Sequence, residues 1–179
     1  MSEVDVIIEI AKGSHIKYEY DKERNIIVCD RVLHTPMKYP FNYGFIPNTL
    51  SEDGDPLDVV VLMDDELVPG CLIKCQILGY LDTKDDAGND PKIIVRPVAK
   101  IDPTLKNLNN IEKISPMSHT LNKIQYFFQH YKDLENKSVT VGEFYDKLTA
   151  IKIYLDAKNR FKYNSVQKNK ITDYFKIIN

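Results

Sequence analysis

The stretch Asp53-Gly54-Asp55-Pro56-Leu57-Asp58, which runs directly into Val59-Val60-Val61-Leu62, limits the folds open to this chain more than any other. The run from Leu57 to Met63 is short, apolar and β-branched, as a buried strand requires. Glycine and proline ahead of it make a tight turn, and Pro56 holds Asp55 in an extended backbone. Asp58 lies inside the strand, on the face shared by Val60 and Leu62. A carboxylate there is costly unless a cation or hydrogen bonds accompany it. The corner is open to three readings: a solvated acidic turn, a calcium loop, or a carboxylate cluster for magnesium in a phosphoryl-transfer site. An EF-hand loop needs an oxygen ligand at its fifth place and glycine at its sixth. Here those places hold Leu57 and Asp58, so the calcium loop is set aside. The choice between the other two turns on whether further charges are built into strands.

Strands dominate the first hundred residues. Val4 to Ile10 is apolar except for Glu9, Ile16 to Tyr20 alternates with period two, and Asn25 to Leu33 reads as the returning arm of a hairpin. Pro36 to Asn48, with Tyr39, Phe41, Tyr43 and Phe45, reads as a structured loop. Cys71 to Leu81 and Lys92 to Lys100 are further strands, separated by a second acidic turn from Thr83 to Pro91. Short strands joined by turns in one block are best satisfied by a barrel, which leaves no open edge. After Asp102-Pro103 the pattern changes. Ser115-Pro116 can start a helix, and Leu121, Ile124, Phe128, Tyr131 and Leu134 form one apolar stripe. Phe144, Leu148, Ile151 and Leu155 repeat at helical steps in a second helix. Ile171, Tyr174, Phe175 and Ile178 suit a last short amphipathic turn. The expected fold is mainly β (α+β): an OB-like barrel of five to six strands with two C-terminal helices packed on it. One domain is expected over residues 1–179, with the barrel at about 1–102, a helical part at about 115–161 and a basic tail at 162–179.

Composition narrows the function. A net charge of −2 over 179 residues argues against a dedicated nucleic-acid binder. No apolar run approaches the ~20 residues of a membrane span, and no secretory leader is visible. Cys29, Cys71 and Cys75 form no CxxC pair and fall in strand-like runs, as reduced core thiols of a cytoplasmic protein would. The histidines make no metal-binding pair, and there is no phosphate-cradling GxxxxGK[ST] loop or GxSxG elbow. Asp64-Asp65-Glu66 reads as a solvated loop. Glu9, Lys17, Glu19, Arg31, Asp58 and the two acidic turns are charges lodged where packing does not ask for them. The carboxylates ask for metal ions, and lysine with arginine suits a phosphate.

These residues resemble a family. Asp53-Gly54-Asp55-Pro56-Leu57-Asp58 is similar to the signature of the soluble family I inorganic pyrophosphatases of bacterial type. So, in the same order, are Ile8-Glu9-Ile10, Ile16-Lys17-Tyr18-Glu19, Asp30-Arg31, Tyr39-Pro40-Phe41-Asn42-Tyr43-Gly44, Thr83 to Lys92 and His130-Tyr131-Lys132-Asp133-Leu134-Glu135. The resemblance covers roughly residues 4 to 156. It implies hydrolysis of pyrophosphate to two orthophosphates by a metal-activated water without a covalent intermediate. It also implies several Mg2+ ions per site, with Mn2+ as a substitute, and a homohexamer. Asp53, Asp58 and Asp90 match the aspartates of the activating metals, Glu9 and Asp85 match ligands of the metals that arrive with substrate, and Asp55 matches the proton acceptor. Lys17, Arg31, Tyr131 and Lys132 match groups that grip phosphate. Glu19, Tyr39, Tyr43, Lys92 and Lys137 match supporting positions. Asp86 stands where the family has glutamate, and the tail after about Arg160 has no match. The alternative is an OB-like binding module without catalysis. Carboxylates lining its groove would repel a nucleic-acid backbone.

Overall fold

The computed structural model describes residues 2–86, 88–111, 119–135 and 137–178, with side chains as far as residue 166. Five strands close a barrel: β1 (Glu3–Ile10), β4 (Asn42–Ile46), β5 (Leu57–Val61), β6 (Leu72–Asp85) and β8 (Lys92–Pro97). Their order around it is β1-β4-β5-β8-β6, and β6 returns to β1. Every neighbouring pair is antiparallel except β5 with β8. This is the expected mainly β, OB-like barrel. β2 (Ile16–Asp21) and β3 (Ile26–Val32) form the expected hairpin, but as a separate two-stranded sheet outside the barrel. Two short additions, β7 (Gly88–Asn89) and β9 (Thr140–Tyr145), pair with β6.

Two hydrophobic clusters follow from the pleat. All five barrel strands supply one of them, among others Val6, Ile46, Val59, Ile77 and Val95. Alternate residues of the same strands, Val60, Leu78 and Ile94, face the other, which packs Tyr39, Phe41 and Tyr43 against α1 (His119–His130). The rings of Phe41 and Phe128 stack at 5.4 Å. Asp58 shares the face of Val60, as the strand period requires, and so meets this second layer.

The structure corrects five expectations. The segment read as a structured loop contains β4, all five residues of which are buried. A strand covered on both faces shows no alternation, so period gave no warning. Phe144 lies in β9 and not in a helix, and α2 runs over Lys147–Ile178. Leu148 (77% exposed) and Leu155 point to solvent, while Ala150 and Ala157 are buried against the barrel; small residues let the helix axis approach closely. Leu134 lies past the end of α1 and is exposed. Cys75 is buried and Cys71 partly so, but Cys29 is exposed; all three are free. The backbone of 162–178 continues α2, where a tail with one short turn was expected. The Ser115-Pro116 helix start, Ala87 of the second acidic turn and the side chains of Ile171, Tyr174, Phe175 and Ile178 lie outside the described residues. Asp64, Asp65 and Glu66 are exposed, as expected.

Candidate active site

The acidic corner keeps its shape through local hydrogen bonds. Gly54 has φ +94°, which only glycine adopts at no cost. The Asp55 N–H donates to Asp53 Oδ1 at 2.9 Å, and the Ser51 N–H donates to the Asp55 carbonyl at 2.6 Å. The chain then enters β5 and carries Asp58 beside Tyr43 of β4 and Lys92 of β8. Tyr43 donates its hydroxyl to Asp58 Oδ2 at 2.5 Å, and Lys92 Nζ lies 2.6 Å from the same oxygen. Lys92 also pairs with Asp90. The second acidic turn is a tight β6–β7 hairpin, with the Asp90 N–H bonded back to the Thr83 carbonyl at 2.9 Å.

All fourteen residues singled out above border one cleft of about 320 Å³: Glu9, Lys17, Glu19, Arg31, Tyr39, Tyr43, Asp53, Asp55, Asp58, Asp85, Asp90, Lys92, Tyr131 and Lys132. Lys137 borders it too. They come from the barrel, the β2–β3 hairpin, both acidic turns and the end of α1. Asp86 does not line the cleft; it accepts a hydrogen bond from Ser138 at 2.8 Å. Sequence reasoning missed three participants. Lys22, at the hairpin tip, lies 2.9 Å from Asp55 Oδ1. Asp30 pairs with Arg31 and sits 3.5 Å from Lys17. Glu135 pairs with Arg31 at 2.6 Å. Asp30 and Glu135 stood inside quoted motifs, but nothing in the chain told which way their carboxylates would face.

Burial sets the electrostatics. It pushes Glu9 up to about 8, with Asp58 adding to the rise against the Tyr20 N–H and Lys17. It pushes Asp90 up to about 7, with Lys92 opposing and Asp58 reinforcing. Asp53 is raised by burial as well. Burial alone would lower Lys92, but Asp58 and Asp90 hold it above its ordinary value. Burial also lowers Lys132, against the attraction of Asp85, which lies 3.5 Å away. Tyr39, Tyr43 and Tyr131 are raised by burial, so their hydroxyls are neutral donors.

The donor set suits a hard divalent cation. Seven carboxyl groups and six lysine or arginine side chains line the cleft, and no histidine or cysteine does. The near balance of charge leaves little to neutralise a polyanionic ligand, so such a ligand needs cations of its own. Among the described residues no three His, Cys, Asp or Glu side chains are drawn together as a ready-made metal site. Asp58, Asp90, Asp85 and Asp55 are each engaged by a lysine instead.

Known proteins share both sequence and architecture. The model of the inorganic pyrophosphatase family matches residues 6–162. The inorganic pyrophosphatase of Sulfolobus acidocaldarius is 48% identical over 159 residues, covering 89% of this chain and 87% of that one. That of Xylella fastidiosa is 46% identical over 162 residues, covering 89% and 90%. The solved inorganic pyrophosphatase of Helicobacter pylori superposes with a TM-score of 0.86 at 46% identity, over 90% of this chain and 94% of that one. With the family model matched over most of its length and relatives nearly half identical to it, the chain belongs to the inorganic pyrophosphatase family.

Proposed function

We propose that the chain hydrolyses inorganic pyrophosphate to two orthophosphates by attack of an activated water, with no covalent intermediate. The observation that carries the reading is the gathering of acidic and basic side chains from distant segments into one cleft, in a chain of this family. Asp53, Asp58 and Asp90, with Glu9 and Asp85, would hold magnesium, which manganese can replace. When bound, such ions acidify a water and draw charge from the phosphates.

The protein's own groups do the rest. Asp55 is exposed to the cleft and takes the proton of the attacking water. Lys22 must give up that carboxylate for it to do so. Lys17, Arg31 and Lys132 bind the phosphates and spread the negative charge that develops on them. Tyr131 donates a hydrogen bond without adding charge. Glu19 balances Lys17. Tyr43 and Lys92 hold Asp58 in place, and Tyr39 packs behind Tyr43 and Phe127.

A phosphate-release assay on pyrophosphate, with magnesium and then with chelator, tests this directly. Release with the metal and none without it is expected; no release in either condition refutes the proposal. The binding-module alternative is disfavoured, because the family model and the similar proteins are inorganic pyrophosphatases. No helix among the described residues is long and apolar enough to cross a membrane. Three free thiols support a reducing compartment, the cytoplasm. The family resemblance implies a homohexamer, and the exposed apolar side chains Val32, Val68, Leu72 and Leu148 offer surface for another copy to cover.

A further inference from the structure

Glu135 lies in the turn after α1, and its side chain is only 4% exposed. Its Oε1 accepts a hydrogen bond from Arg31 Nε at 3.0 Å, and its Oε2 lies 2.6 Å from Nη2. The second contact is off the N–H axis, so it is an ion pair and not an aligned hydrogen bond. Nη1 of the same guanidinium turns to Asp30. Arg31 stands on the β2–β3 hairpin, which forms a sheet apart from the barrel. Tyr131 and Lys132 stand just before Glu135. One buried carboxylate therefore ties the two halves of the phosphate grip together across 104 residues of sequence.

From this geometry we infer that Glu135 is a positioning residue: it fixes the Arg31 guanidinium against the α1 end so that Arg31, Tyr131 and Lys132 meet the phosphates as one unit. The inference rests on the reading of the cleft as a pyrophosphate site. A flexible arginine held by Asp30 alone would swing with the hairpin. Planar forks discriminate strongly against such misplacement.

Glu135→Gln, Glu135→Asp, Arg31→Ala and the Arg31→Ala/Glu135→Gln pair test it. The readouts are kcat and KM for magnesium pyrophosphate, calorimetric affinity for inorganic phosphate in the presence of magnesium, and thermal unfolding. Glu135→Gln should lower kcat/KM about 10- to 100-fold, mostly through KM, and weaken phosphate binding in parallel. Glu135→Asp should recover part of the loss. The paired variant should be within about twofold of Arg31→Ala, because Glu135 acts through Arg31. A Glu135→Gln loss that adds in full to that of Arg31→Ala overturns the inference. So does a lowered Tm with unchanged KM and phosphate affinity, which would make Glu135 a structural ion pair. If Glu135→Gln does not fold, the Glu135→Asp variant decides by the same criteria. If the unmutated protein releases no phosphate, the functional reading fails, and phosphate calorimetry on the same set still decides the role of Glu135.

Discussion

Asp55 and Asp58 sit three residues apart and have opposite surroundings. Asp58 is fixed by Tyr43 and Lys92, whereas the Asp55 carboxylate is mostly exposed and pairs with the exposed Lys22. The fixed group suits a structural ligand and the free one a proton acceptor. Asp55→Asn should therefore keep Tm and magnesium affinity while losing about 100-fold or more in kcat; near-normal turnover would remove Asp55 from the chemistry. Glu9 predicts a pH effect on the metal-free protein. Its ordinary value is 4.5 and its folded value about 8, so the folded state binds the proton more tightly. The stability this group contributes is fully present below pH 4.5 and is lost as pH rises through 8. Asp90 acts the same way up to about 7. The chelated protein should lose on the order of 3 kcal/mol between pH 6 and 8.5, read as a falling denaturation midpoint. Magnesium added at the upper pH should restore it, since a bound cation replaces the lost protons. A midpoint that rises over that range contradicts the assignment.

At the scale of elements, β4 shows how a strand escapes detection. Its five residues are buried on both faces, so the sequence carries no period of two there. Gly44 is the reason β4 can lie so close to β1: an added Cβ would stand 1.9 Å from the Ile7 carbonyl oxygen, which is backbone and cannot step aside. Gly44→Ala should cost about 3 kcal/mol, measured by urea unfolding. Because β4 carries Tyr43, the variant should also lose activity at temperatures where it remains folded. Helix α2 gives the opposite lesson. Its leucines suggested a buried stripe, but the barrel accepts Ala150 and Ala157, and Asp146 caps the helix start through the Thr149 N–H at 2.8 Å. Helical spacing shows that a face exists; which face is buried depends on the shape of the surface it meets.

At the scale of the molecule, the barrel closes, and the hairpin and α1 stand beside it to form the cleft. The family match ends at residue 162, while α2 continues to Ile178. Arg160 anchors the helix by donating to the Leu50 carbonyl at 2.9 Å, next to the acidic corner. Removing residues 163–179 should therefore leave turnover within about twofold, since the matched domain keeps its anchor; a larger loss would give the extension a part in the site or the assembly. Sedimentation of the intact protein should show a particle larger than one 20.7 kDa chain, a hexamer on the proposed reading. A monomer at micromolar concentration would leave Val68, Leu72 and Leu148 without the covering proposed for them.

The sequence by itself determined the barrel class, the presence of two helices and, through its resemblance to a known family, fourteen of the side chains that border the cleft. The first two depend on local chemistry, strand and helix periods with turn residues between them, and the last on motifs in a fixed order. Only the tertiary structure decided that the hairpin stands outside the barrel, that β4 is a strand, and that Ala150 and Ala157 face inward. It alone brought Lys22 to Asp55 and Glu135 to Arg31. Such pairings form between segments distant along the chain, and their orientation depends on how whole elements pack, which no window of sequence contains.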